Sequence, residues 1–207
     1  MLIIGLTGSI GMGKSETARL FAKEGVPVHD ADAAVHALYK KGGAAVEAVG
    51  RAFPGVVHEG AVDRARLAER VMADADGMRR LEAIIHPLVR VEQKAWLKAR
   101  AKEGAHVVVL DIPLLFETGG REQVDVVVLV SAPEPVQRKR VLARPGMTPE
   151  KLDALLKRQM ADSEKRSLAD FVVETDKGLP HAEAQVKAIL HALKGREGGV
   201  WRAAAKP

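Results

Sequence analysis

The sequence predicts an α/β fold, a parallel five-stranded sheet flanked by helices and carrying two helical insertions. Five short runs rich in valine and isoleucine are separated by segments with helical patterning, the alternation expected when parallel strands are joined by crossover helices. The first run opens into a glycine-rich loop that leads straight into a helical pattern. The gaps between runs are uneven, and two of them are far longer than a simple crossover needs.

LIIGL at 2–6 is a short apolar run ended by glycines, the pattern of a strand buried on both faces. Lys14 to Lys23 reads as a helix whose apolar face is Ala18, Leu20, Phe21 and Ala22. VPVHDAD at 26–32 is a second strand ending in two acids, and AHVVVLD at 105–111 is the third. Between them lie roughly 70 residues with helical patterning throughout, including DRARLAERVM at 63–72 and a long stretch from Gly77 to Lys102. His86-Pro87 is expected to interrupt that stretch, because proline removes a backbone donor. VDVVVLV at 124–130 and ADFVVET at 169–175 are the fourth and fifth strands, with a second helical insertion between them. A last helix spans His181 to Lys194, and GREGGVWRAAAKP reads as a frayed tail. The expected organisation is a core of 1–32, 104–132 and 169–194, insertions at 33–103 and 133–168, and a flexible tail at 195–207.

Composition narrows the function classes. The 207 residues include no cysteine, so disulfides, thiolate metal sites and cysteine nucleophiles are excluded. Apolar runs such as Val107–Leu110 fall far short of a membrane span. MLIIGLTG has no basic stretch before its apolar residues, so no signal peptide is expected and the cytoplasm is the default compartment. A net charge of +5 and a pI near 9.5 point to anionic partners. Aromatic residues at 3% leave little to stack on bases; polyphosphates fit the charge equally well.

Gly8-Ser9-Ile10-Gly11-Met12-Gly13-Lys14-Ser15 matches G-x-x-x-x-G-K-[ST] at every fixed position. A chance match is expected in about one chain in a hundred of this length, and this one sits between a predicted strand and a predicted helix. Glycines let the chain wrap with N–H groups facing phosphate oxygens, and the helix start adds donors and a favourable dipole. Lys14 is then placed to bridge the β- and γ-phosphates of ATP and the Ser15 hydroxyl to ligate Mg²⁺. Gly8, Gly11, Met12, Gly13 and Glu16 complete the expected nucleotide contacts.

Carboxyl ends of strands are where open α/β sheets bind ligands. Asp30 and Asp32 end the second strand: a carboxylate there can accept a hydroxyl proton, and it can equally cap the following helix. Asp111 ends the third strand, as a Mg²⁺ ligand does or as a turn cap does. Asp125 precedes its strand and reads as structural. Arg138, Lys139, Arg140, Arg144, Lys151, Lys157, Arg158, Lys165 and Arg166 fall within one insertion. They form either a lid that closes on the triphosphate or a solvated helix face. Among seven histidines only His86 stands out, and their scatter offers no metal site.

GLTGSIGMGKSETA, VHDADAAVHALY, IIHPLV, DIPLLFE and EKRSLADFVVETDKG, in this order from Leu2 to Gly178, resemble the successive signatures of the dephospho-coenzyme A kinases, a P-loop kinase family. The resemblance implies a nucleotide-kinase-like core, a helical acceptor-binding insertion and a lid. It implies transfer of the ATP γ-phosphate to the ribose 3′-hydroxyl of dephospho-coenzyme A, the last step of coenzyme A biosynthesis. By that similarity Asp32 is the catalytic base and Arg140 the lid arginine that joins Lys14 at the phosphates. His86, Pro113, Leu114, Leu115 and Glu117 lie near the acceptor, and Mg²⁺ accompanies ATP. Two departures stand out. Glu16 follows Ser15 where many members have threonine, and Thr175 occupies a position where the family often has an asparagine associated with adenine.

Other readings are a nucleoside or nucleoside-monophosphate kinase, which differs in the acceptor pocket, and a nucleotide-dependent nucleic-acid-binding protein, motivated by the pI. A GTPase switch needs Asn-Lys-x-Asp, and the chain contains no asparagine. Neither nucleic acid nor membrane is expected as a partner, and the sequence specifies no oligomeric state.

Overall fold

The first strand, β1 (Leu2–Thr7), is buried at every residue, as a central parallel strand with both faces covered must be. In a computed structural model that describes residues 1–201, it is followed by α1 (Lys14–Lys23), β2 (Val28–Asp30), α2 (Ala31–Tyr39) and α3 (Val46–Ala52). A two-stranded hairpin, β3 (Val57–His58) and β4 (Ala61–Val62), precedes α4 (Arg64–Met72) and α5 (Gly77–Lys102). Then come β5 (Val107–Asp111), a 3-10 turn (Gly120–Gln123), β6 (Val126–Ser131), α6 (Glu134–Leu142), α7 (Pro149–Leu156), α8 (Asp162–Leu168), β7 (Phe171–Glu174) and α9 (Leu179–Ala192).

The main sheet has the order β2-β5-β1-β6-β7. β1 pairs in parallel with β5, Leu6 opposite Asp111, and with β6, Thr7 opposite Leu129, while β6 pairs in parallel with β7. Leu2, Ile4, Leu6, Val126, Val128 and Val130 pack against Leu20 and Phe21 of α1 and Val186 and Ile189 of α9. The chain divides into two compact units, one of Met1–His29 with Arg100 onward, the other Asp30–Ala99. The second has its own core, in which Val49, Phe53, Val56, Leu67, Val71 and Ile85 are buried. There the Arg80 guanidinium lies 4.9 Å from the centre of the Phe53 ring and donates to the Ala52 carbonyl.

Four details differ from the sequence expectation. The second strand stops at Asp30, because Asp30 caps α2 through the Ala33 amide at 3.0 Å; Asp32 therefore sits in the first helical turn. α5 runs through His86-Pro87 without a break. The stretch expected to be helical throughout contains the β3–β4 hairpin, whose turn is Glu59-Gly60 with both φ angles positive. The last helix begins at Leu179. Within the expected tail, Gly199 and Val200 donate their amides to one oxygen of Asp125, whose other oxygen accepts from Ile3. The rest of the expected tail, residues 202–207, lies outside the described residues.

Candidate active site

Because the chain leaves β1 towards β2 at one edge of the sheet, whereas it leaves the neighbouring β5 and β6 towards the other edge, the loop after β1 emerges at the switch point where such sheets bind ligands. The loop hugs the sheet: a Cβ at Gly8 would lie 2.7 Å from the Val130 carbonyl. Gly13 caps α1 with φ 97°, a left-handed conformation that turns the chain into the helix. Thr17 donates its amide to the Gly13 carbonyl at 3.1 Å. The amides of Lys14, Ser15 and Glu16 come before that bond and have no acceptor within the helix, which makes them donors for an anion.

Lys14 forms an ion pair with Asp111, the last residue of β5. Their side chains are 16% and 10% exposed, so each charge offsets the desolvation of the other. Ser15 and Glu16 are exposed, and Glu16 pairs with Arg19, three residues along α1. Met12 is buried and anchors the loop: its sulfur accepts from the Ala132 amide at 3.1 Å and its carbonyl from the Thr175 hydroxyl at 2.6 Å.

Arg140, from α6, donates to the Thr175 hydroxyl at 2.8 Å and the Thr175 carbonyl at 2.7 Å, with Gly11 O at 3.5 Å. Gly13, Glu16, Arg140, Arg144 and Thr175 help line a cavity of about 290 Å³ beside the loop. Of the other basic residues in 133–168, Arg138 pairs with Asp153 at 2.8 Å, Arg166 pairs with Asp162 at 3.1 Å, and Lys165 is fully buried.

The segment after β5 is fixed at its start by Thr7, whose hydroxyl donates to the Pro113 carbonyl at 3.3 Å. Leu115 is buried against Gly5, while Leu114 is exposed. Glu117 accepts from the Lys165 ammonium at 2.8 Å and from the Met160 amide at 2.9 Å. Burial opposes its charge, but Lys165 and the backbone donors outweigh that and hold its carboxyl below the usual carboxylate range. In the second unit, Asp32 is exposed in the first turn of α2 and His86 is exposed on α5. Asp30 takes the capping role, which leaves the Asp32 carboxylate outside the cap.

Several polar contacts to the loop leave little or no trace in the sequence. Gln137 donates to the Ile10 carbonyl at 2.8 Å, Gln159 accepts from the Ile10 amide at 3.3 Å, and Lys165 donates to the Ser9 hydroxyl at 3.2 Å. Gln137 could have been noticed from Val141 four residues on, since both lie on the buried face of α6.

Among the described residues there is no group of three or more His, Cys, Asp or Glu side chains able to hold a metal. Mg²⁺ does not need one: it keeps several waters and is commonly held by one or two protein oxygens together with substrate phosphates. Ser15 and Asp111, a hydroxyl and a carboxylate flanking the loop lysine, fit that requirement.

A family model described as dephospho-CoA kinase matches residues 2–181. A relative from Mesorhizobium japonicum named dephospho-CoA kinase is 59% identical, covering 96% of this chain and 100% of its own. One of the same name from Brucella abortus is 48% identical, covering 98% and 100%. The crystal structure of TT1252 from Thermus thermophilus is similar with a TM-score of 0.77 and 37% identity, covering 94% of this chain and 98% of that one. A dephospho-CoA kinase from Campylobacter jejuni, at 22% identity and a TM-score of 0.65 over 93% and 98% of the two chains, shares the fold.

Proposed function

The chain belongs to the dephospho-CoA kinase family, and from that premise we propose that it transfers the γ-phosphate of ATP to the 3′-hydroxyl of dephospho-coenzyme A, giving coenzyme A and ADP. The observation that carries the reading is Lys14 at the mouth of the glycine loop, paired with a strand-end carboxylate at the switch point of the sheet.

In this reading the amides of the loop and the start of α1 bind the triphosphate, and Lys14 leaves Asp111 for the β- and γ-phosphates. Ser15 and Asp111 would hold Mg²⁺, which would supply charge neutralisation at the transferred group. Arg140, with its guanidinium fixed by Thr175, adds positive charge on the lid side. The acceptor hydroxyl gives its proton to Asp32 as its oxygen attacks phosphorus and the bond to the ADP oxygen breaks. His86 and the segment from Pro113 to Glu117 are assigned to the acceptor side by the family resemblance alone. No helix among the described residues is long and apolar enough to cross a membrane.

The test is ADP release by purified protein with Mg-ATP, with and without dephospho-coenzyme A, alongside Asp32→Ala. Turnover that requires this acceptor and a collapse of kcat in the variant are expected. Undiminished turnover in the variant removes Asp32 from the role of base. Turnover with nucleosides or nucleoside monophosphates in place of dephospho-coenzyme A overturns the acceptor assignment.

A further inference from the structure

Lys165 has a side chain with 0% exposure, although lysine is among the residues least often buried. Its ammonium makes two contacts, Glu117 Oε1 at 2.8 Å and Ser9 Oγ at 3.2 Å. Ser9 belongs to the glycine loop and is itself 6% exposed. Glu117 is satisfied unevenly: Oε1 takes both Lys165 and the Met160 amide, whereas Oε2 is buried and has no hydrogen-bond partner. As a stabilising device this is poor. Desolvating two charges cancels much of their attraction, and an unsatisfied carboxylate oxygen adds to the cost. A structural pair of this kind is readily replaced by neutral side chains.

What the arrangement does supply is a contact between a buried charge and the loop: the Lys165 ammonium lies 3.2 Å from the Ser9 hydroxyl. Ser9 and the next residue are gripped from one segment: Lys165 holds the Ser9 hydroxyl, Gln159 the Ile10 amide and Gln137 the Ile10 carbonyl. Of the three, Lys165 alone is both charged and fully buried.

We propose that Lys165 is a positioning residue, which with Glu117 holds Ser9 so that the glycine loop is already shaped for a triphosphate before ATP arrives. Preorganised donors cost no rearrangement when the anion binds, and the buried ammonium biases the loop towards negative charge. This inference rests on reading the loop as the ATP site and is independent of which acceptor is used.

The experiment measures Mg-ATP affinity at equilibrium, without acceptor, together with melting temperature, for Lys165→Met, the double variant Lys165→Met/Glu117→Gln, and Ser9→Ala. Lys165→Met should melt lower, because Glu117 loses its ammonium. The double variant should recover most of that loss, yet bind Mg-ATP about ten- to a hundredfold more weakly than the parent. Recovery of both stability and affinity would make the pair purely structural and overturn the proposal. If the double variant does not fold, Ser9→Ala decides: weakened binding supports the proposal and unchanged affinity overturns it. A parent protein that does not bind Mg-ATP would overturn the ATP-site reading itself, and dephospho-coenzyme A turnover by the parent reports separately on the acceptor.

Discussion

Thr175 ties together three parts of the site that are distant in sequence. Its hydroxyl donates to the Met12 carbonyl and accepts from Arg140, while its own carbonyl takes the second Arg140 donor. Thr175→Val keeps the shape and removes both hydroxyl bonds, so stability should fall by about 1–3 kcal/mol and Arg140 should be less well fixed. Steady-state kinetics should show a higher KM for ATP with a smaller change in kcat; an unchanged KM would mean that the carbonyl bond alone fixes Arg140. Glu117 gives a second prediction. Its carboxyl is held below the ordinary value of 4.5, so the folded state favours the carboxylate. The stability this contributes is fully present above about pH 4.5 and is lost as pH falls through the lowered value. Glu117→Gln should therefore be clearly less stable than the parent near pH 7, with the gap narrowing in urea unfolding below pH 4.5. A constant gap would show that its loss acts through packing alone. The glycine loop was legible because phosphate chemistry dictates its spacing. The Thr175–Arg140 bond was not, since a hydroxyl on one strand end and a guanidinium 35 residues earlier leave no periodic trace.

Strands that are buried on both faces announce themselves as continuous valine runs, which is why β1, β5 and β6 were readable to within about two residues at their ends. The β3–β4 hairpin was hidden because each strand has two residues and the turn is Glu59-Gly60. Hairpins usually signal with asparagine or aspartate before glycine, and here Glu59 accepts φ 49° without that chemistry. Pro87 misled in the opposite direction. Proline predicts a break, but α5 is 26 residues long, and Ile84, Ile85, Leu88 and Val89 on either side of Pro87 bury against the core of the second unit. Packing along both halves outweighs one lost backbone bond and a clash worth about 3 kcal/mol. Pro87→Ala should accordingly raise unfolding free energy by about 1–3 kcal/mol in urea titration. A lower value would mean that α5 needs a bend at Pro87 to seat those four side chains.

At the scale of the whole molecule, the net charge of +5 invited a nucleic-acid reading, but many of its cations are answered locally. Arg51 pairs with Glu47, Arg79 with Asp76, Arg138 with Asp153 and Arg166 with Asp162. The cations that bear on the glycine loop are few and held in place: Lys14 by Asp111, Arg140 by Thr175, and Lys165 by Glu117. All belong to the unit formed by Met1–His29 and Arg100 onward, whereas Asp32 and His86 belong to Asp30–Ala99, which has a separate core. A kinase divided in this way should respond to its two substrates in two places. Mg-ATP alone should slow hydrogen exchange at residues 11–17, where the loop and the start of α1 supply the donors, and at 175–179, which border the neighbouring cavity. It should leave exchange in the core of residues 38–85 nearly unchanged. Adding dephospho-coenzyme A should then slow exchange within 30–99, because binding to a folded unit stabilises that unit by mass action. Protection by Mg-ATP followed by none from dephospho-coenzyme A in 30–99 would keep the nucleotide site and move the acceptor away from the helical insertion. The reverse pattern, with the acceptor protecting 11–17 and ATP not, would break the assignment of the loop.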